Sequence, residues 1–316
     1  MNNVPLITIT IPVYNNPLLL AECLKSIQNQ TFKNYKVLIV DDNSSADYAG
    51  VVNAFKNMPI EYIKNPQNLG AVPNMMYCIH RNYETNYFMV FHEDDVLHPR
   101  FLEISLDELQ KSEKSVFSCC NMNFFFNYDE INFDKIINNN VSYCSLKDCI
   151  FEILKGCPIS WSSVVYRSNL DRPFFDYQKY SMLGDRPFLL EIVKDNNCVF
   201  IKNPLVVAFG HKSNDTRWKT LHWYHIINLY KFYFSFFRNS TRQEIKSIKK
   251  WGTIQLFANY KLLTNQSVKV FIPFVFSGFY HNLISFKYLL LQNSRIRHLI
   301  EKCKNAHRLH NLRISS

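Results

Sequence analysis

Glycine-rich phosphate-binding loops are absent from this sequence, which has only 7 glycines in 316 residues. No Gly-x-Gly-x-x-Gly follows the first predicted strand, and no Gly-x-x-x-x-Gly-Lys-Ser/Thr motif occurs in the chain. Such loops hold the phosphates of dinucleotides or of nucleoside triphosphates through their backbone N–H groups. Their absence argues against a Rossmann-type dehydrogenase and against a P-loop NTPase.

Paired cysteines are also missing. The 9 cysteines include no Cys-x-x-Cys, and the one close pair is Cys119-Cys120, inside a predicted strand. An odd number of cysteines without metal-binding spacing favours reduced thiols in a cytoplasmic protein. No signal peptide precedes the first predicted strand, which agrees with that location.

Acidic residues are scarce in the last third of the chain. Residues 211–316 contain 18 Lys/Arg and 3 Asp/Glu, whereas residues 1–210 contain 18 and 23, and the net charge of the whole chain is +10. This asymmetry predicts two regions, a catalytic domain at 1–215 and a basic, aromatic, helical region at 216–316. A basic region suits nucleic acid or an anionic membrane face.

The most apolar stretch lies within the basic region, at residues 270–291. A membrane-spanning helix needs ~20 mostly apolar residues, but this stretch contains Pro273, Gly278 and Lys287. We therefore expect a helical hairpin that lies on a membrane or packs against another subunit, so that a homo-oligomer stays an open alternative. No nucleic-acid recognition motif accompanies the basic residues.

Strand and helix patterns alternate through the first hundred residues. Strand patterns occupy 5–13, 36–40, 60–64 and the segment from 87, and segments of helical periodicity separate them. Short connections between alternating elements predict an α/β fold with a mostly parallel, doubly wound sheet and helices on both faces.

The alternation loosens after Pro99. Further strands are predicted at 116–122, 162–166, 198–201 and 205–209, with a long loop or hairpin at 123–143. A helix is predicted to begin near Ser145, where Ser145 and Asp148 have the spacing of a capping arrangement, and to stop at Gly156.

Two predicted strands end in carboxylates, Asp41-Asp42 and His92-Glu93-Asp94-Asp95. The carboxyl ends of parallel strands face one edge of the sheet, where α/β proteins bind ligands. Adjacent ionised carboxylates at a buried strand end need a counter-charge, and Mg²⁺ or Mn²⁺ suits oxygen ligands. The alternative is an acidic loop in water, with Asp95 opening a helix.

A set of short motifs in this order resembles the inverting family 2 glycosyltransferases of the GT-A fold, which use nucleotide sugars in bacterial surface polysaccharide assembly. The resemblance covers about residues 5–210. The motifs are Ile11-Pro12-Val13-Tyr14-Asn15, Val40-Asp41-Asp42-Asn43-Ser44, Asn68-Leu69-Gly70 with Asn74, His92-Glu93-Asp94-Asp95, and Gly184-Asp185.

The resemblance implies roles for the donor site. Pro12 and Tyr14 would flank the nucleobase, and Asp42 or else Asp41 would hydrogen-bond it. Asn68 and Asn74 would order the donor loop, although an Asn before Leu-Gly is also a standard turn residue. Asp94 and Asp95 match the metal and ribose end of the family's Asp-x-Asp motif, although His92 replaces its first Asp. A neutral imidazole does not supply the missing negative charge, so the division of metal and ribose between Asp94 and Asp95 stays open.

The resemblance also implies a catalytic base and a further metal contact. Asp185 matches the base, although an Asp two residues before Pro187 is also an ordinary helix N-cap. His211 is a candidate metal or diphosphate ligand, with a surface histidine as the alternative, and Lys212 and Arg217 are weaker diphosphate candidates. Trp161 is either an acceptor-stacking platform or a core residue.

The expected activity is transfer of a sugar from a nucleotide-diphosphate donor, with a UDP-linked donor favoured, to a hydroxyl of a saccharide or lipid-linked acceptor at the inner face of the bacterial membrane, with Mg²⁺ or Mn²⁺ as cofactor. A nucleotidyltransferase of nucleotide-sugar metabolism is the alternative enzyme, but it would have a basic, glycine-rich loop after the first strand. A nucleic-acid-binding protein is the alternative outside enzymes.

Overall fold

A computed structural model describes residues 4–125, 127, 128, 131, 133, 141–156, 159–174, 176–210 and 221–261, with side chains of the last helix to residue 255. The chain divides into two compact units, residues 1–219 and 220–316, which are described separately. The predicted domain boundary at 215/216 falls outside the described residues.

The first half of the larger unit is a parallel sheet with strand order β3-β2-β1-β4, as the alternating pattern predicted. β1 lies in the centre, so the loops that follow β1, β2 and β4 meet at one edge. The elements are β1 (Ile7–Val13), α1 (Pro17–Gln28), β2 (Tyr35–Asp41), α2 (Ala49–Ala54), β3 (Ile60–Lys64), α3 (Ala71–His80) and β4 (Tyr87–Val90).

The sheet then continues in mixed orientation as β4-β8-β6-β9-β5, with β7 paired to β9, so that nine strands lie in the described part of the chain. β8, β5 and β7 are antiparallel to their neighbours, whereas β6 and β9 are parallel to each other. The elements are β5 (Val96–Leu97), α4 (Phe101–Gln110), β6 (Ser115–Phe125), β7 (Val141–Cys144), α5 (Leu146–Leu154), β8 (Val164–Arg167), α6 (Tyr177–Tyr180), α7 (Asp185–Val193) and β9 (Asn197–Phe209).

Two details of this second half differ from the predicted elements. The strands predicted at 198–201 and 205–209 form one continuous strand, β9, because β6 pairs along its whole length with shifts of register near Asn121. Asp95 does not open a helix: Val96 and Leu97 form β5, and the next helix begins at Phe101.

Alternation along β1 explains its central position. Ile7, Ile9 and Ile11 are fully buried in one apolar cluster that includes residues of α1. The threonines between them are buried on the other face, where Thr8 Oγ1 lies 2.8 Å from Thr85 Oγ1 and Thr10 Oγ1 lies 2.8 Å from Tyr83 Oη. Because both faces are covered, a polar residue in β1 needs a hydrogen-bond partner, and each threonine has one.

The predicted cap of α5 is confirmed as a capping box. Asp148 N donates to Ser145 Oγ at 3.4 Å, and Ser145 N donates to Asp148 Oδ2 at 3.2 Å. Gly156, predicted to terminate this helix, follows the C-cap residue with a φ of 101°. Glycine adopts this left-handed conformation without steric cost.

The described part of the smaller unit consists of two helices, α8 (Trp223–Ser235) and α9 (Arg242–Lys261). A capping pair opens α9, since Thr241 N donates to Glu244 Oε2 at 2.8 Å and Glu244 N donates to Thr241 Oγ1 at 3.2 Å. No described helix has the length and hydropathy of a membrane span, and the apolar stretch 270–291 lies outside the described residues.

Candidate active site

The loops after β1, β2 and β4 are joined by direct hydrogen bonds at the carboxyl edge of the sheet. Asp42 N donates to Val13 O at 3.0 Å, and Tyr14 N donates to Glu93 Oε1 at 3.1 Å. The acidic segments that follow β2 and β4 therefore flank the loop after the central strand, as the parallel order requires.

Glu93 bridges two elements of this edge. Its Oε2 accepts from Tyr48 Oη at 2.9 Å, and the same tyrosine oxygen accepts from Asn16 N at 2.8 Å. Burial raises the pKa of Glu93 to about 7, although the hydrogen bonds from Tyr14 N and Tyr48 oppose that rise. The glutamate thus connects the acidic segment to the loop that carries Tyr14.

Asn15 locks the β1–α1 loop against the β2–α2 loop. Its backbone is left-handed, with a φ of 58°, a conformation that asparagine tolerates better than most residues. Its Oδ1 accepts from Ser45 N at 2.9 Å and from Ala46 N at 3.1 Å. The neighbouring Tyr14 keeps 47% of its surface exposed at this edge, and Pro12 is half-buried in β1.

Asp41 is engaged within the protein. Its side chain is fully buried, its Oδ1 accepts from Ser44 N at 2.9 Å, and its Oδ2 accepts from Tyr62 Oη and lies 3.9 Å from Lys64 Nζ. These contacts tie the end of β2 to β3, so a structural role explains Asp41.

Asp42 holds the loop between β3 and α3. Its carboxylate accepts from Leu69 N and Gly70 N, each at 2.8 Å, and from Asn65 Nδ2 at 3.0 Å. The Asn68 amide donates in turn to Asp42 O at 3.0 Å. Gly70 has a φ of 91°, which explains the glycine of this motif. Asp42 is 2% exposed and holds this loop in place, whereas its contact with a base and the role of the loop in donor binding stay predictions.

His92, Asp94 and Asp95 bring their ligand atoms within 4.8 Å of one another. His92 Nδ1 lies 3.5 Å from Asp95 Oδ2, and the two aspartates are only 5% and 4% exposed. The alternative of an acidic loop in water is therefore wrong for these carboxylates. No other group of three such side chains occurs in the part of the chain that the structure describes. The two carboxylates are oxygen donors of the kind that Mg²⁺ and Mn²⁺ bind.

Asp185 is the first residue of α7, and Gly184 rather than Asp185 occupies the N-cap position. Its Oδ1 accepts from Arg186 N at 2.8 Å. Burial raises the pKa of Asp185 to about 6, and the charge of Arg186 opposes the rise. A carboxyl with this pKa is ionised at neutral pH and is a stronger base than an exposed aspartate.

The helix that carries Asp185 is connected to the acidic segment after β4. His92 N donates to Ser162 Oγ at 3.2 Å. The neighbouring Trp161 packs on Phe188 of α7, with ring centroids 4.7 Å apart. Trp161 is 5% exposed, which favours its interpretation as a core residue. His211, Lys212 and Arg217 lie outside the described residues.

The sequence model of the protein family described as "Glycosyl transferase family 2" matches residues 8–172, just over half of the chain. The chain belongs to glycosyl transferase family 2. The match contains every motif on which the resemblance depended except Gly184-Asp185.

Curated relatives of this glycosyltransferase act in different bacteria. It is 24% identical over 129 residues to glycosyltransferase GlyG of Streptococcus pneumoniae, which covers 40% of each chain. It is 28% identical over 195 residues to the UDP-Glc:alpha-D-GlcNAc-diphosphoundecaprenol beta-1,3-glucosyltransferase WfgD of Escherichia coli, covering 61% of this chain and 71% of WfgD. The Campylobacter jejuni GalNAc(5)-diNAcBac-PP-undecaprenol beta-1,3-glucosyltransferase is 34% identical over 93 residues, covering 29% of this chain and 30% of that enzyme.

Solved structures support the fold of this family 2 glycosyltransferase. Staphylococcus aureus TarS has a TM-score of 0.51 and 16% identity, covering 79% of this chain and 49% of TarS. TarS 1–349 in complex with UDP-GlcNAc also has a TM-score of 0.51, covering 78% of this chain and 80% of that structure. The α/β architecture predicted from the sequence, the GT-A fold, is thereby confirmed.

Sequence reasoning missed several residues that build this edge. The sequence motif that contains Glu93 predicts no separate role for this residue. No sequence motif marks Tyr48 or Ser162 as part of the site. Asn65 links Asp42 to Asn74, since its Nδ2 also lies 3.0 Å from Asn74 Oδ1. The contacts of Glu93 with Tyr48 and of His92 with Ser162 join residues that are far apart in the chain, so only the folded arrangement reveals them.

Proposed function

We propose that this enzyme transfers a sugar from a UDP-linked donor to a hydroxyl of a saccharide or lipid-linked acceptor, with inversion at the sugar. The observation that carries the proposal is the grouping of His92, Asp94 and Asp95 next to the Tyr14 loop. Asp185 lies on a helix that packs on Trp161, whose neighbour Ser162 accepts from His92 N. WfgD is named for a UDP-glucose donor and a lipid-linked acceptor, and TarS was crystallised with UDP and with UDP-GlcNAc.

A divalent metal fits this grouping. Asp94 and Asp95 are buried carboxylates close together, and without a cation their charges would oppose each other in a poorly solvated place. They would hold Mg²⁺ or Mn²⁺, with the His92 imidazole as a further ligand or a hydrogen-bond partner. The bound metal would neutralise the donor diphosphate and so stabilise it as the leaving group.

The nucleoside would bind at the edge formed by β1 and β2. Tyr14 offers a half-exposed ring, and Pro12 is its apolar neighbour. Asp42 and Asn68 would act here by fixing the loop of residues 65–70, and an unused lone pair of Asp42 could accept from the base.

Asp185 would act as the general base. An alkoxide does not form at neutral pH, so a carboxylate must take the proton of the acceptor hydroxyl as the new C–O bond forms. A base with a pKa of about 6 is ionised above that pH and holds the proton better than an exposed aspartate does. Attack opposite the departing nucleoside diphosphate inverts the anomeric centre without a covalent intermediate.

The two regions of the chain differ in charge, and this difference indicates where each part of the protein acts. We propose that residues 1–215 form the catalytic domain and that residues 216–316 contact the inner face of the cell membrane or a second subunit. The excess of 18 Lys/Arg over 3 Asp/Glu in residues 211–316 supports contact with anionic lipids. Sedimentation with anionic vesicles at low salt supports this contact, whereas equal sedimentation of a chain truncated after residue 215 contradicts it.

The test of the function is metal-dependent hydrolysis of UDP-glucose and UDP-N-acetylglucosamine by the purified protein. We expect Asp94→Ala and Asp95→Ala each to abolish the metal-dependent hydrolysis and to weaken the binding of UDP, measured by calorimetry with Mn²⁺. Asp107→Ala is the matched control, because Asp107 is an exposed carboxylate paired with Lys111 on α4. Unchanged UDP affinity in both site variants would contradict the metal assignment, and synthesis of a UDP-sugar from UTP and a sugar phosphate would favour a nucleotidyltransferase.

A further inference from the structure

The acidic segment after β4 runs directly into the far side of the sheet. β5 pairs with β9 in antiparallel register, with Val96 opposite Val207 and Leu97 opposite Val206. Asp94 and Asp95 directly precede β5, and Val207, the partner of Val96, lies two residues before Phe209, the last residue of β9. The metal-candidate carboxylates therefore follow the segment that contacts the Tyr14 loop and precede a strand that pairs near the end of β9.

Tyr128 covers the end of β9. Its ring stacks on Phe209 with the centroids 4.0 Å apart and the planes 7° apart. The backbone is closed at the same place, since Gly210 N donates to Phe125 O at 2.7 Å. Burial raises the pKa of Tyr128, and the charges of Asp94, Glu22 and Asp95 add to the rise. The phenol thus lies in the electrostatic field of the acidic edge.

The Tyr128 hydroxyl is buried, and it has no hydrogen-bond partner among the residues that the structure describes. Most buried hydroxyl groups in folded proteins are paired, because an unpaired one is costly. A hydroxyl of a bound ligand could supply the missing hydrogen-bond partner.

We propose that Tyr128 is a sugar-binding residue whose hydroxyl hydrogen-bonds the sugar of the nucleotide-sugar donor, an inference that rests on the function proposed above. The order along the sheet edge supports the donor sugar. The nucleoside side at β1 and β2 comes first, the carboxylates between β4 and β5 come next, and Tyr128, which stacks on the last residue of β9, follows. In a nucleotide sugar the diphosphate likewise separates the nucleoside from the sugar, so a diphosphate at Asp94 and Asp95 directs the sugar toward Tyr128.

Tyr128→Phe separates binding from folding. Because the hydroxyl has no described partner in the protein alone, its removal should leave the melting temperature unchanged or slightly raised. The control is Tyr35→Phe at the opposite, amino end of β2, where the hydroxyl donates to Ile27 O at 3.2 Å. That variant should melt at a lower temperature and keep its donor affinity.

Calorimetry with Mn²⁺ then compares UDP with UDP-glucose, UDP-galactose and UDP-N-acetylglucosamine. We expect Tyr128→Phe to bind UDP as the wild type does, and to lose about five- to tenfold in affinity for the UDP-sugar that the wild type prefers. The KM for hydrolysis of that donor should rise by the same factor.

Three outcomes overturn the inference in distinguishable ways. Unchanged UDP-sugar affinity in Tyr128→Phe shows that the hydroxyl does not contact the donor sugar. An equal loss for UDP alone shows that it acts on the nucleotide or the metal instead. A wild-type protein that binds none of these ligands with metal contradicts the proposed function itself, and the inference is then overturned with it.

Discussion

Replacing Asp185 by Asn should make the protein more stable and almost inactive. The folded environment raises the pKa of Asp185 from 3.8 to about 6, so burial disfavours the ionised carboxylate by about two pKa units. At 1.36 kcal/mol per unit this corresponds to at most about 3 kcal/mol. Asparagine keeps an oxygen that can accept from Arg186 N, at 2.8 Å in the wild type, but carries no charge to desolvate.

The sign follows from proton linkage. The folded state holds the Asp185 proton more tightly than the unfolded state, so this residue destabilises the fold progressively as the pH rises from about 4 to about 6. Above that range the cost is fully present, and below pH 4 it is gone. The stability gain of Asp185→Asn should therefore be largest at pH 7 to 8 and should shrink toward zero at about pH 4.

Urea denaturation at pH 4.5, 6 and 8 measures the difference in the free energy of unfolding between Asp185→Asn and the wild type. An assay of sugar transfer measures the loss of the base, and the transfer rate should fall by at least ~100-fold. In the wild type the rate should rise with pH through about 6, as Asp185 loses its proton. Asp195→Asn is the control, because Asp195 is an exposed aspartate just beyond α7. A variant that is less stable than the wild type at pH 8, or one that still transfers sugar, would refute the reasoning.

Two glycines give further predictions. Gly70→Ala should lower the free energy of unfolding by roughly 1 kcal/mol, because φ is 91° there, and should weaken UDP binding by displacing the loop that Asp42 holds. The control is Gly50→Ala, whose Cβ would have no atom within 4 Å. Equal UDP affinity in both variants would count against the role of the loop. Gly252→Val in α9 should lower the melting temperature by overpacking worth about 1–3 kcal/mol, since even a Cβ there would lie 2.9 Å from the Phe234 ring. Circular dichroism melts decide this, and an unchanged melting temperature would mean that the ring moves aside without cost.

The parallel half of the sheet was predictable because its signals are local. Each strand of that half, such as β1, is an apolar or alternating run, each connection is short, and β1, β2 and β3 pair in the order in which they follow one another in the chain. Strand β9 was predicted as two pieces because its continuity depends on β6, whose residues lie about eighty positions earlier. Pairing partners at that distance leave no trace in a local pattern.

The site divides in the same way. Asp94, Asp95 and Asp185 could be proposed from motifs, since carboxylates at strand and helix ends are visible in the sequence. The bridging role of Glu93 could not, because its burial and its contacts with Tyr14 and Tyr48 exist only after folding. The same holds for Tyr128, whose significance lies in a hydrogen bond that the described part of the protein does not make.

The three donors that converge on Asp42 change how variants at this position must be interpreted. Alanine there would release two backbone amides and a side-chain amide together, so weaker nucleotide affinity would record a displaced loop as well as any missing base contact. Conversely, a library that randomises residues 65–70 while keeping Asp42 should recover active enzymes chiefly with glycine at position 70. Loop variants that keep Asp42 and Gly70 therefore test the proposed nucleotide site more directly than a change of the aspartate does.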